Sequence, residues 1–290
     1  MLSIDPPLSR RLCRQWLPSG LVGVVHLAPL PGAPRFAGDA TAVLRQALDD
    51  VEALVQSGFE ALLLENFGDA PFHRDQLPAV SIAALARVAG SVRERHRSLR
   101  LGLNCLRNDV ASAVAIATAC EADFIRVNVH CGAAWSDQGL LQGDAAATLR
   151  ARAASRPELK ILADLRVKHA APVAARPLVE EALELRERGL ADALLLTGPA
   201  TGAAADPGEF EELRRSMQDV PLFVASGVDA GSAAAWSLLA DGAIVGSALM
   251  RGGLCGGPIE AERARLLRER WVAARSTRTE ESVASAQKER

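Results

Sequence analysis

The 290-residue sequence is short of several things, and each shortage excludes a class of protein. Cysteine is sparse: Cys13, Cys105, Cys120, Cys131 and Cys255 are odd in number, widely scattered and nowhere arranged as a CxxC pair. That usage speaks against a disulfide framework or a structural zinc knuckle and fits a reducing cytoplasm, the expected location. No apolar run reaches the ~20 residues needed to cross a bilayer, because Asp, Glu or Arg interrupts each stretch of Leu, Val and Ala. A transmembrane segment is therefore not expected. Charge of one sign is missing too: 33 basic residues face 35 acidic ones, for a formal net charge of -2. No global field draws the chain onto nucleic acid or an anionic membrane, so no nucleic-acid partner is expected. The opening segment carries Arg10, Arg11 and Arg14 but also Asp5 and several prolines, with no continuous apolar stretch. It does not read as a secretory signal; whether the first 20 residues form a transit peptide stays open.

What remains is a chain able to bury a large core, with 49% hydrophobic residues and a mean hydropathy of +0.10. Its length is close to the ~250 residues at which an α/β barrel forms one unit. Short runs of Val, Leu and Ile alternate with stretches of helical period, which is the pattern of repeated strand–helix–strand units. Strands are expected at Leu21 to His26, Ala61 to Glu65, Leu101 to Asn104, Phe124 to His130, Lys160 to Leu165, Ala193 to Thr197, Leu222 to Ala225 and Ala243 to Val245. Helices are expected between them, such as Thr41 to Ser57, and Leu178 to Arg188 ending at Gly189 as its C′ residue. An open doubly wound sheet would normally carry a Gly-rich first turn, but Val24-Val25-His26 leads into Pro29-Leu30-Pro31-Gly32. The expected fold is a (β/α)8 TIM barrel over residues 21–276. It is preceded by an N-terminal extension, 1–20, and followed by a loose polar tail, 277–290, which lacks apolar period.

In such a barrel the active site lies at the carboxyl ends of the strands. Those ends are polar here: His26, Glu65-Asn66, Asn104, Arg126 with Asn128 and His130, Asp164, and Thr197. Strand side chains alternate faces, so Arg126, Asn128 and His130 share one face, and Ile125, Val127 and Val129 the other. If the apolar set meets the helices, the polar set points into the barrel, where buried charge is costly unless paired or used on a ligand. A polar layer with a purely structural role is the alternative.

The last two strands are followed by Ser226-Gly227 and by Gly246-Ser247. Glycine turns there let backbone N–H groups approach an anion, and a short helix starting near Ser247 would add its positive end. Together with Thr197 and Gly198 they read as a phosphate cradle, similar to the loops of ribulose-phosphate-binding barrels; simple tight turns are the alternative.

Longer blocks carry a resemblance: Val24 to Gly32 (VVHLAPLPG), Glu65 to Phe72 (ENFGDAPF), Asn104 to Asp109 (NCLRND), Phe124 to His130 (FIRVNVH), Ala163 to Ala170 (ADLRVKHA) and Thr197 to Gly202 (TGPATG). In these blocks the chain resembles the BtpA/SgcQ family. The resemblance implies a ribulose-phosphate-type barrel whose namesake is linked to photosystem I biogenesis and which has a second member among genes of apparent sugar metabolism. The sequence departs from the family pattern at Cys131, which follows His130 where a small hydroxyl residue is usual.

The barrel mouth thus offers Glu65 and Asp164 as general acid and base, His26 or His130 as proton shuttles, and Asn104, Arg126 and Asn128 as polar partners. His26, Glu65, His130 and Asp164 also make an N/O set suited to a divalent metal, though no local spacing signature supports it. Lys168 is one of three lysines, with Lys160 and Lys288, in a chain that otherwise uses Arg. A phosphate contact or an ion pair asks less of it than a Schiff base. His169 is expected to point to the opposite face as a packing residue. Cys131 as a nucleophile has nothing in its favour. Gly132 to Gly143, with Trp135, and the Phe67 to Phe72 loop read as lids, or as fixed loops at a contact in a homo-oligomer. Two functions fit: an enzyme acting on a phosphorylated sugar or nucleotide-like molecule by hydrolase, lyase or isomerase chemistry, or a non-catalytic accessory factor using the barrel as a platform.

Overall fold

The computed structural model describes residues 6–198 and 204–288, with side chains through 277. In chain order the strands are β1 (Leu21–His26), β2 (Ala61–Glu65), β3 (Arg100–Asn104), β4 (Phe124–Val127), β5 (Ala133–Ser136), β6 (Gly139–Gln142), β7 (Lys160–Asp164), β8 (Ala170–Pro172), β9 (Ala193–Leu196), β10 (Leu222–Val224) and β11 (Gly242–Val245). Eight of them close into a parallel barrel in the order β1-β11-β10-β9-β7-β4-β3-β2, the expected TIM barrel. The other three form a small antiparallel sheet, β6-β5-β8, after the barrel strands β4 and β7. The helices are α1 (Arg10–Trp16), α2 (Ala40–Gln56), α3 (Ala79–Arg95), α4 (Val110–Ala119), α5 (Ala145–Ser155), α6 (Leu178–Leu183), α7 (Pro207–Ser216), α8 (Ala233–Leu239) and α9 (Ala261–Lys288).

Alternation sorts the core into two layers. Leu21, Val25, Leu62, Leu64, Leu101, Leu103, Ile125 and Val127 face outward into the helices' core. On α2, which starts at an Asp39 cap accepting from the Thr41 and Ala42 amides, Val43, Ala47, Val51 and Leu54 are buried. Each such valine or leucine contributes roughly 1.5–3 kcal/mol of burial, and Ala47 less. Val22, Val24, Ala61, Leu63, Phe124, Leu162, Ala193, Leu195, Phe223 and Ile244 face inward. The two phenyl rings fit inside the barrel because the residue paired with each on the neighbouring strand is glycine: a Cβ on Gly102 would lie 2.2 Å from Phe124, and one on Gly242 2.2 Å from Phe223.

Residues 6–17, read from the sequence as part of an extension preceding the barrel, pack into its amino-terminal end. Leu8, Cys13 and Leu17 are buried in the same cluster as Phe124 and Phe223, and Trp16 meets Phe124 edge-on at 5.7 Å. Asp241, whose side chain is wholly buried, holds Arg10 at 2.8 Å and Arg214 at 2.5 Å.

Several boundaries differ from expectation. β4 ends at Val127 rather than His130, because Asn108 ties down the next turn, its Oδ1 accepting from the Val129 amide at 3.0 Å. Leu178 to Arg188 is an α-helical turn continued by a π-helical one, Glu184–Arg188. Gly189 after it has φ -77°, and Leu190 takes the positive φ of 51° instead. Glycine at 189 serves close approach: a Cβ would lie 2.7 Å from Cys131 Sγ. The backbone from 277 to 288, expected as a loose tail, continues α9 as helix.

Candidate functional site

The inward face of the barrel turns polar at its top. Parallel register sets His26 beside Glu65 and Glu65 beside Asn104, so three adjacent strands present three polar groups at one level. Glu65 Oε1 accepts from Asn104 Nδ2 at 2.7 Å and from Arg126 Nη1 at 3.2 Å, and its Oε2 lies 3.4 Å from His26 Nε2. Burial would raise this carboxyl, but the His26 hydrogen bond, the Arg126 charge and Asn104 bring it down to about 2. The Gly256 amide donates to His26 Nδ1 at 3.1 Å, which places the ring proton on Nε2, facing Glu65. The ring stacks on Phe67, with centroids 4.1 Å apart.

Arg126 is the hub. Its Nε and Nη2 donate to the two oxygens of Asp164 at 2.9 and 3.0 Å, a fork on a carboxylate, while Nη1 reaches Glu65. Asn128 Nδ2 adds a bond to Asp164 Oδ2 at 2.8 Å. Glu65, held ionised at about 2, is in a poor state for general acid or general base work, and both oxygens of Asp164 are taken up by Arg126 and Asn128.

Other polar residues of the same blocks tie loops. Asn66 Oδ1 accepts from the Leu106 amide at 2.7 Å, Asp69 Oδ1 from the Leu30 amide at 2.8 Å, and Asp109 Oδ2 from the Leu77 amide at 2.8 Å. These bonds fix the loops after β1, β2 and β3 against one another.

Above the polar layer opens a cavity of about 450 Å³. His26, Glu65, Asn104, Arg126, Asn128 and Lys168 line one part, and Ser226, Gly227, Gly246 and Ser247 another. Gly227 has φ +67° and a Cβ there would lie 2.4 Å from the Ala204 backbone, so this turn requires glycine. Gly246 leaves room beside the His26 ring, 3.6 Å from where its Cβ would stand, and a single 3-10 turn, Ser247–Leu249, follows it.

The charge balance of the lining is lopsided: Arg35, Arg107, Arg126 and Lys168 against the one carboxylate of Glu65, with Asp164 behind it on Arg126. Burial and the neighbouring Arg126 lower the Lys168 ammonium to about 8, although Glu65 and Asp164 pull the other way. Arg107, which sequence reasoning did not single out, is buried, and its Nη2 donates to the Lys168 carbonyl. The only signal for it was its place in the Asn104 to Asp109 block. Cys255 was also missed; it lines the cavity and bonds Ser247.

Some expected site residues lie elsewhere. His130 is buried with Nε2 2.8 Å from the Gly189 carbonyl, outside the cavity lining, and burial lowers its basicity. With β4 ended at Val127, strand alternation no longer aims it inward. Thr197 is spent on a hydrogen bond to the Arg166 carbonyl, and neither it nor Gly198 lines the cavity. The metal set of His26, Glu65, His130 and Asp164 does not converge: His130 is away and Asp164 is occupied by Arg126 and Asn128. Among the described residues no group of three or more His, Cys, Asp or Glu side chains is placed to hold a metal ion. His169, expected as a packing residue, is exposed at φ 54° and lines the cavity, because β7 ends at Asp164. Burial pushes the Cys131 thiol up to about 11, so it is not a thiolate.

The segment after β4 is an antiparallel hairpin, β5 and β6, with β8 on its other edge and Trp135 54% exposed. No helix among the described residues is long and apolar enough to cross a membrane.

Comparison with known proteins gives the following likenesses. The model of the BtpA family matches residues 18–272. An uncharacterised protein of Thermococcus kodakarensis is 43% identical over 251 residues, 86% of this chain and 94% of that one. The photosystem I biogenesis protein BtpA of Synechocystis sp. is 38% identical over 236 residues, 80% of this chain and 81% of that one. Among solved structures, 3-hexulose-6-phosphate synthase from Salmonella typhimurium superposes with a TM-score of 0.53 at 14% identity, over 88% of this chain and 99% of that one. That last likeness is one of fold.

Proposed function

Because the chain belongs to the BtpA family and its barrel mouth is ringed by cations, we propose that it binds a phosphorylated sugar or nucleotide-like molecule there and acts on it by proton transfer. The observation that carries this reading is the cavity lining: four cationic side chains and one carboxylate face two glycine-containing loops across about 450 Å³. Such a lining attracts an anion, and glycine turns let backbone N–H groups reach it. Ser226, Gly227, Gly246 and Ser247 hold the phosphate, with Arg107 and Lys168 supplying charge. Glu65 and Asp164, held by Arg126, and Asn104 and Asn128, bonded to those two carboxylates, orient the rest of the molecule. Lys168, poised at about 8, moves the proton, a step that hydrolysis, elimination and isomerisation share.

The test is a thermal-shift screen with inorganic phosphate and phosphate esters. A ligand at ~100-fold its Kd stabilises by about 2.7 kcal/mol, a rise of roughly 5 °C in a chain of this size. Ser226→Asp, which sets a carboxylate against the anion, abolishes the rise, read against that variant's own unliganded midpoint because Ser226 is buried. A screen in which no phosphate compound moves the midpoint overturns the proposal. In that event the second reading gains: the name of the Synechocystis relative and the exposed Trp135 suit an assembly factor whose platform is the small sheet.

A further inference from the structure

A second cavity, of about 490 Å³, lies beside the first beneath the β5-β6-β8 sheet. The two share Asn128 and Val167 in their walls, and Asp164, bonded to Asn128, lines the second. They are neighbouring lobes with one polar residue between them.

The walls of the second lobe are largely aliphatic, from Val129, Ala134, Leu165, Val167, Val173 and Leu185. Its charges are already matched: Arg166 lies 3.2 Å from Glu181, and Arg176 pairs with Glu184. Unlike the first lobe, it has no surplus of positive charge to offer a second phosphate. It suits a neutral, flat or apolar group.

Asn128 specifies the junction. It is 4% exposed, its Nδ2 is committed to Asp164, and its Oδ1 has no hydrogen-bond partner. A buried acceptor left unpaired is costly, so the group that completes it is a donor, an O–H or N–H. With Nδ2 fixed on a carboxylate, the amide cannot be flipped to donate instead.

We propose that the ligand spans both lobes: its phosphate sits at Ser226, Gly227, Gly246 and Ser247, a hydroxyl or amine donates to Asn128 Oδ1, and a neutral ring fills the lobe under the small sheet. This is the class of nucleoside monophosphates and similar phosphoribosyl compounds rather than simple sugar phosphates. The inference rests on the phosphate reading of the first cavity and sharpens it.

Isothermal titration of the full chain with inorganic phosphate, ribose 5-phosphate and a set of purine and pyrimidine nucleoside monophosphates tests it. At least one nucleotide is expected to bind about tenfold or more tightly than ribose 5-phosphate, from burial of the ring. Ala174→Trp, at an exposed position on the rim of the second lobe, removes that gain and leaves ribose 5-phosphate binding unchanged. Ala170→Leu, a milder filling of the same lobe, is expected to act in the same direction should the tryptophan variant misfold. If ribose 5-phosphate binds and every nucleotide binds no better, or the gain survives both fillings, the two-lobe inference is wrong while the phosphate site stands. If no phosphate compound binds at all, the phosphate reading itself falls and takes this inference with it.

Discussion

Replacing Arg126 by Met keeps most of the aliphatic volume and removes the charge on which two buried carboxylates depend. Arg126 is 7% exposed, Glu65 8% and Asp164 0% at the side chain, and the three charge-assisted bonds of 2.9, 3.0 and 3.2 Å are lost together. Breaking a buried pair from one side costs about 3–5 kcal/mol, because the remaining charge is left unpaired. At about 2 °C per kcal/mol for a chain of this length, the midpoint falls by roughly 6–10 °C. The pH dependence separates charge from packing. In the parent, Glu65 is held at about 2, below its ordinary 4.5, so its contribution is present above about 4.5 and is lost as pH falls toward 2. In Arg126→Met the stranded Glu65 loses the charge that offsets its burial and is pushed up, so lowering the pH neutralises it and relieves the variant. The gap between the two proteins is therefore widest near pH 7 and narrows toward pH 4, as read by urea unfolding across that range. Asp164→Asn, harmful in the parent, recovers part of the loss in the variant. A gap that is the same at both pH values, or a midpoint within 2 °C of the parent, refutes the description of Arg126 as the electrostatic hub.

Lys168→Met is expected to weaken binding of a phosphate ester about tenfold while stabilising the fold by about 1–3 kcal/mol at pH 7, since a desolvated ammonium is removed. Its folded value, about 8, lies below the ordinary 10.5, so parent stability rises as pH climbs from 8 toward 10.5 and the variant's advantage shrinks there; chemical denaturation at pH 7 and 10 reads the difference. In the parent, phosphate-ester binding should fall as pH rises through 8, which titration calorimetry in matched buffers can follow. Gly102→Ala places a Cβ 2.2 Å from the Phe124 ring and should cost about 1–3 kcal/mol, recovered in part by Phe124→Leu in a double-mutant cycle.

How much of this was legible in the sequence depended on whether a residue stands within a paired strand. In β1, β2, β3, β4 and β7 the period of two aimed His26, Glu65, Asn104, Arg126 and Asp164 inward, and each is found there. Beyond the last paired residue that rule lapses. His130 and His169 were assigned faces by extending β4 and β7 past Val127 and Asp164; loop hydrogen bonds from Asn108 and the Gly189 turn place His130, and His169 stands at a positive φ beyond the end of β7. Arg107 went unnoticed because nothing local aims a loop arginine into a cavity; the bond from Asn66 to Leu106, 40 positions apart, belongs to the contacts that fix its loop.

The barrel, its inward polar layer and the glycine turns after the last two barrel strands can be read from the order of residues, because alternation and turn chemistry are local. The rest follows from contacts between distant segments. His26, Arg126 and Asn104, brought from other strands, turned one apparent acid–base group, Glu65, into a fixed acceptor, since a pKa is set by such neighbours, and Arg126 took up Asp164 as an ion-pair partner. Closure of the barrel also brought Lys168 into a cationic mouth, the first helix under the barrel floor, and a second lobe against Asn128. None of these is a property of any one segment.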